Sequence, residues 1–222
     1  MTKNTKISYL LLGLIFLLAL FLRLYRLNID APALYADEVG HFFHYNLLKL
    51  PDIGFIKRLT YLVFSATWLV GLNPLGVRLF SAIYGSLIVL VGFFFAKAVS
   101  KSSGSNLYLR LGLVFALLVA ISPWNFAISR LGHTHIPIVV LLSLLHLTLY
   151  LQANSWRKKL VSFIPFLLGG YFYPTLIIMA PFVLLLPAKE LLWDNAVNKK
   201  YLFAFLGIFI FATFYILINK YQ

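Results

Sequence analysis

Long apolar stretches separated by short basic segments dominate this chain. A helix that crosses a membrane needs about 20 mostly apolar residues, with a range of about 17 to 25. Stretches that reach or approach that length lie at 7–22, 79–96, 107–121, 136–151 and 201–218. The pattern predicts an all-α, polytopic membrane protein. It also indicates that the first stretch is a retained anchor, since Arg23 and no small-residue cleavage site follows it.

Residues 59–72 are apolar but short, and they lie between Arg58 and Asn73. If this segment spanned the membrane, the basic loop 97–110 would lie on the face opposite the amino terminus. Basic loops favour the cytoplasmic face. We therefore predict an interfacial helix here.

Residues 160–187 are long but interrupted by Gly169, Gly170 and Pro174. Glycine and proline together favour a break in a helix, and basic residues flank both ends of the stretch. We predict a short hairpin of two spans with its tip at 169–174.

These assignments give about seven spans, with the amino terminus in the cytoplasm and the carboxyl terminus outside. We expect one module over 1–222, a first outer loop at about 23–78 and no soluble carboxyl-terminal domain. The orientation puts the larger share of the 19 lysines and arginines in the cytoplasm. The membrane would then be the plasma (inner) membrane.

Composition supports this class and excludes others. The chain is 62% hydrophobic and only 11% charged, against roughly 25% charged residues in soluble domains. Its net charge of +13 is spread over short gaps between apolar stretches, so we expect no nucleic-acid partner. There is no cysteine, which excludes disulfides and thiolate metal sites.

Two adjacent carboxylates, Asp37 and Glu38, follow the first predicted span at a short distance. Ionisable groups near a membrane are costly and are therefore candidates for function. Asp37 is also well placed to cap a helix that starts there, with Glu38 near its positive end, and capping and chemistry can coexist. Apolar residues recur at helical spacing from 39 to 50, and His41 follows the polar face with Glu38. This predicts an amphipathic interfacial helix.

Several short segments, in order along nearly the whole chain, resemble one family. They are 22–27 (LRLYRL), 35–38 (YADE), 73–82 (NPLGVRLFSA), 121–125 (ISPWN) with Ser129 and Arg130, and 171–174 (YFYP). The series resembles the C-type-fold glycosyltransferases that use polyprenyl-phosphate sugars. The closest groups are the protein O-mannosyltransferases and the lipid A aminoarabinose transferases.

The resemblance implies a seven-span module and a transfer reaction at the extracytoplasmic face. In that family an acidic residue of the first outer loop is taken to be the catalytic base, which points to Asp37 as base with Glu38 in support. The donor would be a polyprenyl-phosphate sugar, and the acceptor a protein, lipid or glycan. Candidate substrate-binding residues are the cations that would face the donor phosphate, a histidine on the polar face and one aromatic: Arg78, Arg130, Arg58, Lys57, His41 and Tyr173.

Two departures from the family pattern matter. The second outer loop, 122–137, carries no acidic residue, so we expect neither a metal site nor another cofactor. Relatives continue into further spans and an outer domain, so a partner subunit could supply the acceptor site. Two alternatives therefore stand beside an active enzyme: a catalytically idle relative or assembly subunit, and a lipid or solute transporter.

Overall fold

A computed structural model describes residues 3–29, 38, 55–102, 107–173 and 207. All regular elements in those ranges are helices, as predicted. They are α1 (Lys3–Leu24), α2 (Phe55–Phe64), α3 (Thr67–Val70), α4 (Pro74–Ser102), α5 (Tyr108–Ile121), α6 (Pro123–Arg130), α7 (His135–Gln152) and α8 (Trp156–Phe172).

Among the described residues, three helices are long and apolar enough to cross a membrane: Thr5–Leu24, Pro74–Ser102 and His135–Gln152. A fourth span results if α5 and α6, which are bent by 51° at Ser122, are taken as one. The prediction of a membrane protein is confirmed to this extent. The two spans predicted between 174 and 222 lie outside the described residues, apart from Gly207.

Residues 59–72 form two short helices instead of the one predicted interfacial helix. With 10 residues, α2 is about 15 Å long, half the thickness of the hydrocarbon core. It ends before Ser65, and the backbone N–H of Ala66 donates to the Gly76 carbonyl at 2.9 Å. This bond ties the break between α2 and α3 to the first turn of α4. Because of their length, neither of the two short helices can span the membrane.

The prediction that Gly169 and Gly170 break the helix was wrong. Gly169 and Gly170 are buried inside α8, which continues to Phe172 and ends just before Pro174. The Tyr173 N–H still donates to the Gly169 carbonyl at 2.9 Å. The restriction that proline places on the preceding residue therefore marks the end of this helix better than the two glycines do.

Helix α4 is central and packs against α1, α5, α6 and α7. Small residues allow these helices to approach each other, as is common in membranes. A Cβ at Gly112 of α5, for example, would lie 2.9 Å from the Phe93 ring of α4. The core at this level consists of Leu12, Ala19, Val89, Phe93, Ala116 and Ala120.

The long helices α1, α4, α5, α7 and α8 alternate in direction, which sorts the polar residues into two groups. We call one end of the bundle the motif end; its residues include Arg23, Glu38, Arg78, Ser129 and Tyr173. We call the other the basic end; its residues include Lys97, Lys101, Gln152, Arg157 and Lys158. Arg78 and Lys97 both lie on α4, about 28 Å apart at 1.5 Å of rise per residue.

Candidate functional site

Glu38 and Arg78 form a buried ion pair at the motif end. Nε of Arg78 donates to Oε1 of Glu38 at 2.7 Å, and Nη2 donates to Oε2 at 2.9 Å. The side chains are 1% exposed for Arg78 and 0% for Glu38. Two parallel bonds from a guanidinium to a carboxylate are the strongest geometry that such a pair adopts.

Two backbone groups also bond to this pair. The N–H of Gly132 donates to Oε1 of Glu38 at 2.8 Å, and Nη1 of Arg78 donates to the Leu27 carbonyl at 3.3 Å. A buried ion pair offsets its desolvation only when its remaining polar atoms are also bonded. The pair thus joins Glu38 to three segments distant in sequence: the turn after α1, the start of α4 and the link between α6 and α7.

The close approach of Glu38 requires glycine at position 132. A Cβ there would lie 2.6 Å from Cγ1 of Val77 and 2.9 Å from Cγ of Glu38. Both distances are too short for a real Cβ contact. The absence of a side chain at Gly132 is therefore part of the site.

Asn73 sets the start of the helix that carries Arg78. Its Oδ1 accepts from the Gly76 N–H at 2.9 Å, and its Nδ2 donates to the Val70 carbonyl at 2.8 Å. The first of these is the usual N-cap bond, and Pro74 occupies the first helical position, where its missing N–H costs nothing. This motif places Arg78 one turn inside α4, facing the bundle.

Arg23 is a second, fully buried guanidinium, on the last turn of α1. Its Nε donates to Oγ of Ser129 at 3.0 Å, and its Nη1 donates to the carbonyl of Ala120 at 3.2 Å. A longer bond of 3.5 Å reaches the Val119 carbonyl, which loses its usual partner because Pro123 has no N–H. Arg23 thus caps the carboxyl end of α5 at the bend.

A second side chain also supports this bend. Nδ2 of Asn125 donates to the Val119 carbonyl at 3.1 Å and to the Gly85 carbonyl of α4 at 3.2 Å. A Cβ at Gly85 would overlap Ser129, so the missing side chain lets α6 lie directly on α4. The ISPWN segment therefore encodes a bent connection whose open carbonyls are bonded by Arg23 and Asn125.

Arg130 stabilises the carboxyl end of α1. Its Nη1 donates to the carbonyls of Leu22 at 2.9 Å and Tyr25 at 2.8 Å, and its guanidinium lies 5.3 Å from the centre of the Phe126 ring. A cation at a helix carboxyl terminus interacts favourably with the helix dipole. The predicted contact of Arg130 with a donor phosphate stays a prediction.

The segment 171–173 reaches the same end through aromatic and hydroxyl contacts. Thr60 of α2 donates to the Tyr171 hydroxyl at 3.3 Å, and the Phe64 and Phe172 rings are 5.2 Å apart. The half-exposed Tyr173 stacks on His135 at 5.3 Å, with an angle of 25° between the rings. The predicted role of Tyr173 in substrate binding stays a prediction.

The structure does not describe every predicted site residue. Asp37 and His41 lie outside the described residues, as does the side chain of Lys57. Arg58 is exposed on α2, and Arg78 is buried against Glu38. The described part therefore pairs Glu38 with Arg78 and places Arg130 at the carboxyl end of α1, whereas Asp37, the predicted base, lies outside it.

Sequence reasoning missed the contribution of Arg23. It treated this arginine as a flank of the first span and as part of the LRLYRL segment, whereas the side chain is turned into the bundle. The signal was present in the sequence, because arginine in the last turn of an apolar helix must reach either water or open carbonyls. Ser122-Pro123 creates such carbonyls in a neighbouring helix.

Within 3–29, 38, 55–102, 107–173 and 207, no three His, Asp or Glu side chains come together as metal ligands. The expectation that the protein holds no metal stays a prediction. Comparison with protein-family models, curated proteins and solved structures found no match to this chain.

Proposed function

We propose that this chain is a membrane glycosyltransferase, or its core module, which transfers a sugar from a polyprenyl-phosphate donor to an acceptor at the extracytoplasmic face. The single observation that supports this most is the pair Glu38–Arg78 with its bond to Gly132. It draws Glu38, the NPLGVR segment and the segment that carries Gly132 to one end of the bundle. The fold proposed is the seven-span module that the resemblance implies.

In this proposal Glu38 positions the chain, and Asp37 is the catalytic base. Both oxygens of Glu38 already accept hydrogen bonds from Arg78, and Oε1 accepts a further one from Gly132, so this carboxylate is a poor base. Asp37 is covalently adjacent to Glu38. Anchoring Glu38 therefore fixes the chain at the residue that the resemblance names as the base.

The chemical step requires one base and several cations. An acceptor hydroxyl or amine is a weak nucleophile until a carboxylate takes its proton. As the acceptor bonds to the anomeric carbon, the bond from that carbon to the phosphate oxygen breaks, and the phosphate leaves with the electron pair. Asp37 accepts the acceptor's proton. The leaving phosphate is stable as an anion, so no general acid is needed, but cations stabilise its charge.

The described geometry ranks the candidate cations. Arg78 and Arg130 donate to protein oxygens, and their direct contact with phosphate would require those bonds to be exchanged. Arg58 is exposed on α2, so a phosphate in solvent or at the membrane surface can reach it whichever protein groups it also contacts. We propose Arg58 as the first cation to test for donor binding, and Arg78 as a residue that acts through Glu38.

The test uses the full chain in lipid nanodiscs with labelled polyprenyl-phosphate hexoses and pentoses, and measures release of polyprenyl phosphate together with glycosylated product. Asp37→Asn should lower turnover by about 100-fold or more, in the range that general-base catalysis contributes. Asp194→Asn, which removes a carboxylate predicted on the cytoplasmic face, should stay within about twofold of wild type. Size-exclusion profiles check that both variants are folded.

Three outcomes would contradict the proposal. Full activity of Asp37→Asn would show that Asp37 is not the catalytic base. A wild-type chain that releases no polyprenyl phosphate from any donor, alone or with native membrane extract, would favour an idle scaffold. Movement of lipid or solute across the bilayer without glycosylated product would favour a transporter.

A further inference from the structure

The described residues leave two adjoining cavities at the basic end. The larger, of about 510 Å³, lies between the carboxyl ends of α4 and α7. The smaller, of about 390 Å³, lies beside it where α7 ends and α8 begins. Gln152 lines both cavities, so the two lie side by side, and we call them together the recess.

Positive charge dominates this recess. Lys97 and Lys101 line the larger cavity, and Arg157 and Lys158 line the smaller. No acidic side chain is among the described residues that line either cavity. Four cations around one recess with low-dielectric walls attract anions strongly.

Lys97 is held in place at the wall. Its Nζ donates to the Tyr9 hydroxyl at 2.9 Å and lies 5.4 Å from the centre of the Tyr9 ring. An ammonium has three donors, so one bond to Tyr9 leaves donors that a ligand can use. Lys101 lies one turn further along α4, on the same face, and Ser102 and Asn154 add uncharged hydrogen-bonding groups.

From the length of α4, we infer that the recess lies at headgroup depth in a bilayer. Helix α4 has 29 residues and is about 44 Å long, so it extends beyond a hydrocarbon core of about 30 Å. Apolar walls accompany the cations, since Phe94 and Leu151 line the larger cavity and Val161 the smaller, and all three are exposed. The recess therefore offers cations to a headgroup and apolar surface to the chains attached to it.

We propose that this recess binds the phosphate group of an anionic glycerophospholipid. A phosphate accepts hydrogen bonds from several lysine and arginine donors at once. Basic pockets between membrane helices on the cytoplasmic side suit anionic lipid headgroups, and the orientation predicted for this chain puts the basic end on that side. The site is about 28 Å along α4 from Arg78 and is independent of the proposed transfer reaction.

Native mass spectrometry of the full chain, released from mixed micelles, tests the proposal with phosphatidylglycerol and phosphatidylcholine as the probes. Wild type should retain phosphatidylglycerol about tenfold more tightly than phosphatidylcholine. Lys101→Gln combined with Arg157→Gln should abolish most of that preference, because each cation near an anionic headgroup contributes several-fold to affinity. Both side chains are exposed, so the fold should survive.

The matched control is Lys6→Gln combined with Arg110→Gln. It removes the same charge from exposed positions at the same end that line neither cavity, and it should change lipid retention by less than about twofold. Equal loss in the two double variants would assign the effect to diffuse surface charge and overturn the site. Equal retention of the two lipids by wild type would do the same.

A second arm separates lipid from soluble phosphate. Inorganic phosphate and glycerol phosphate, which lack acyl chains, should raise the unfolding temperature of the detergent-solubilised chain far less than short-chain phosphatidylglycerol does. Equal protection by inorganic phosphate would show a soluble-anion site and would refute the lipid assignment.

Discussion

The Arg78 guanidinium donates two hydrogen bonds to the Glu38 carboxylate, and neither side chain contacts solvent to any useful extent. The pair closes a loop of 40 positions in the sequence and fixes Glu38 against the start of α4. It therefore has a structural role that can be measured separately from any transfer activity.

Removing one partner of this pair should be costly. Glu38→Leu leaves the Arg78 guanidinium buried without its counter-charge, and the free energy of unfolding should fall by about 3 to 5 kcal/mol. Combining it with Arg78→Met should recover part of the loss, because no buried charge remains, although the Gly132 N–H and the Leu27 carbonyl lose their bonds to the pair. Thermal and denaturant unfolding in detergent, followed by tryptophan fluorescence, measures the three variants.

The double-mutant cycle decides the result. The coupling energy should be large, with the double variant more stable than either single variant. Losses that simply add would mean that Glu38 and Arg78 do not interact in the protein.

A single methyl group should distinguish Gly132 from other glycines. Gly132→Ala places a Cβ against Val77 and Glu38, and overpacking of this kind costs about 1 to 3 kcal/mol. Gly13→Ala is the matched control, since no atom lies within 4 Å of a Cβ at that position of α1. Alanine there should be neutral or stabilising, by up to about 1 kcal/mol.

The comparison is made by thermal unfolding of the two variants under one condition. A Gly132→Ala protein as stable as Gly13→Ala would show that the link between α6 and α7 moves away easily. The close contact between Gly132 and Glu38 would then not be required.

A positive charge alone should not replace the hydrogen bonds of the Arg23 guanidinium. Lysine keeps the positive charge but has a single ammonium, which cannot reach Ser129 and the Ala120 carbonyl together in the geometry of the guanidinium fork. Arg23→Lys should therefore lower the free energy of unfolding by about 1 to 3 kcal/mol, the cost of leaving buried acceptors unbonded. Arg26→Lys, at an exposed position three residues later, should change it by less than about 0.5 kcal/mol.

Unfolding curves in the same detergent measure both substitutions. Equal stability of Arg23→Lys and wild type would mean that water or another side chain bonds the end of α5 instead. The α5–α6 bend would then not depend on Arg23.

Hydropathy predicted the long elements well because burial in lipid requires an unbroken apolar run. The run at 79–96 lies within α4 and the run at 136–151 within α7, and only the ends differ, where polar residues continue each helix beyond the hydrocarbon. Charge also predicted correctly that 59–72 is not one long spanning helix. The break at Ser65 was not predictable from composition, because it depends on a bond from Ala66 to Gly76 in another helix.

The site was predicted less completely, for a physical reason. Sequence order identified Glu38 and Arg78 as polar residues near one membrane face, but gave them separate roles because nothing in the spacing shows that they touch. Their pairing depends on the position of Gly132, 94 residues from Glu38. Local patterns predict helices, whereas side-chain partners across a bundle depend on packing.

Absence of cysteine makes the orientation directly testable. A single cysteine can be introduced at the exposed Asn28, beyond the end of α1, or at the exposed Asn154, between α7 and α8. If the amino terminus is cytoplasmic, a membrane-impermeant maleimide added to intact cells should label Asn28→Cys and should spare Asn154→Cys until the cells are opened. The two positions lie at opposite ends of the bundle, so each serves as the other's control. Labelling of Asn154→Cys alone in intact cells would place the motif end in the cytosol, where the proposed extracytoplasmic transfer could not take place.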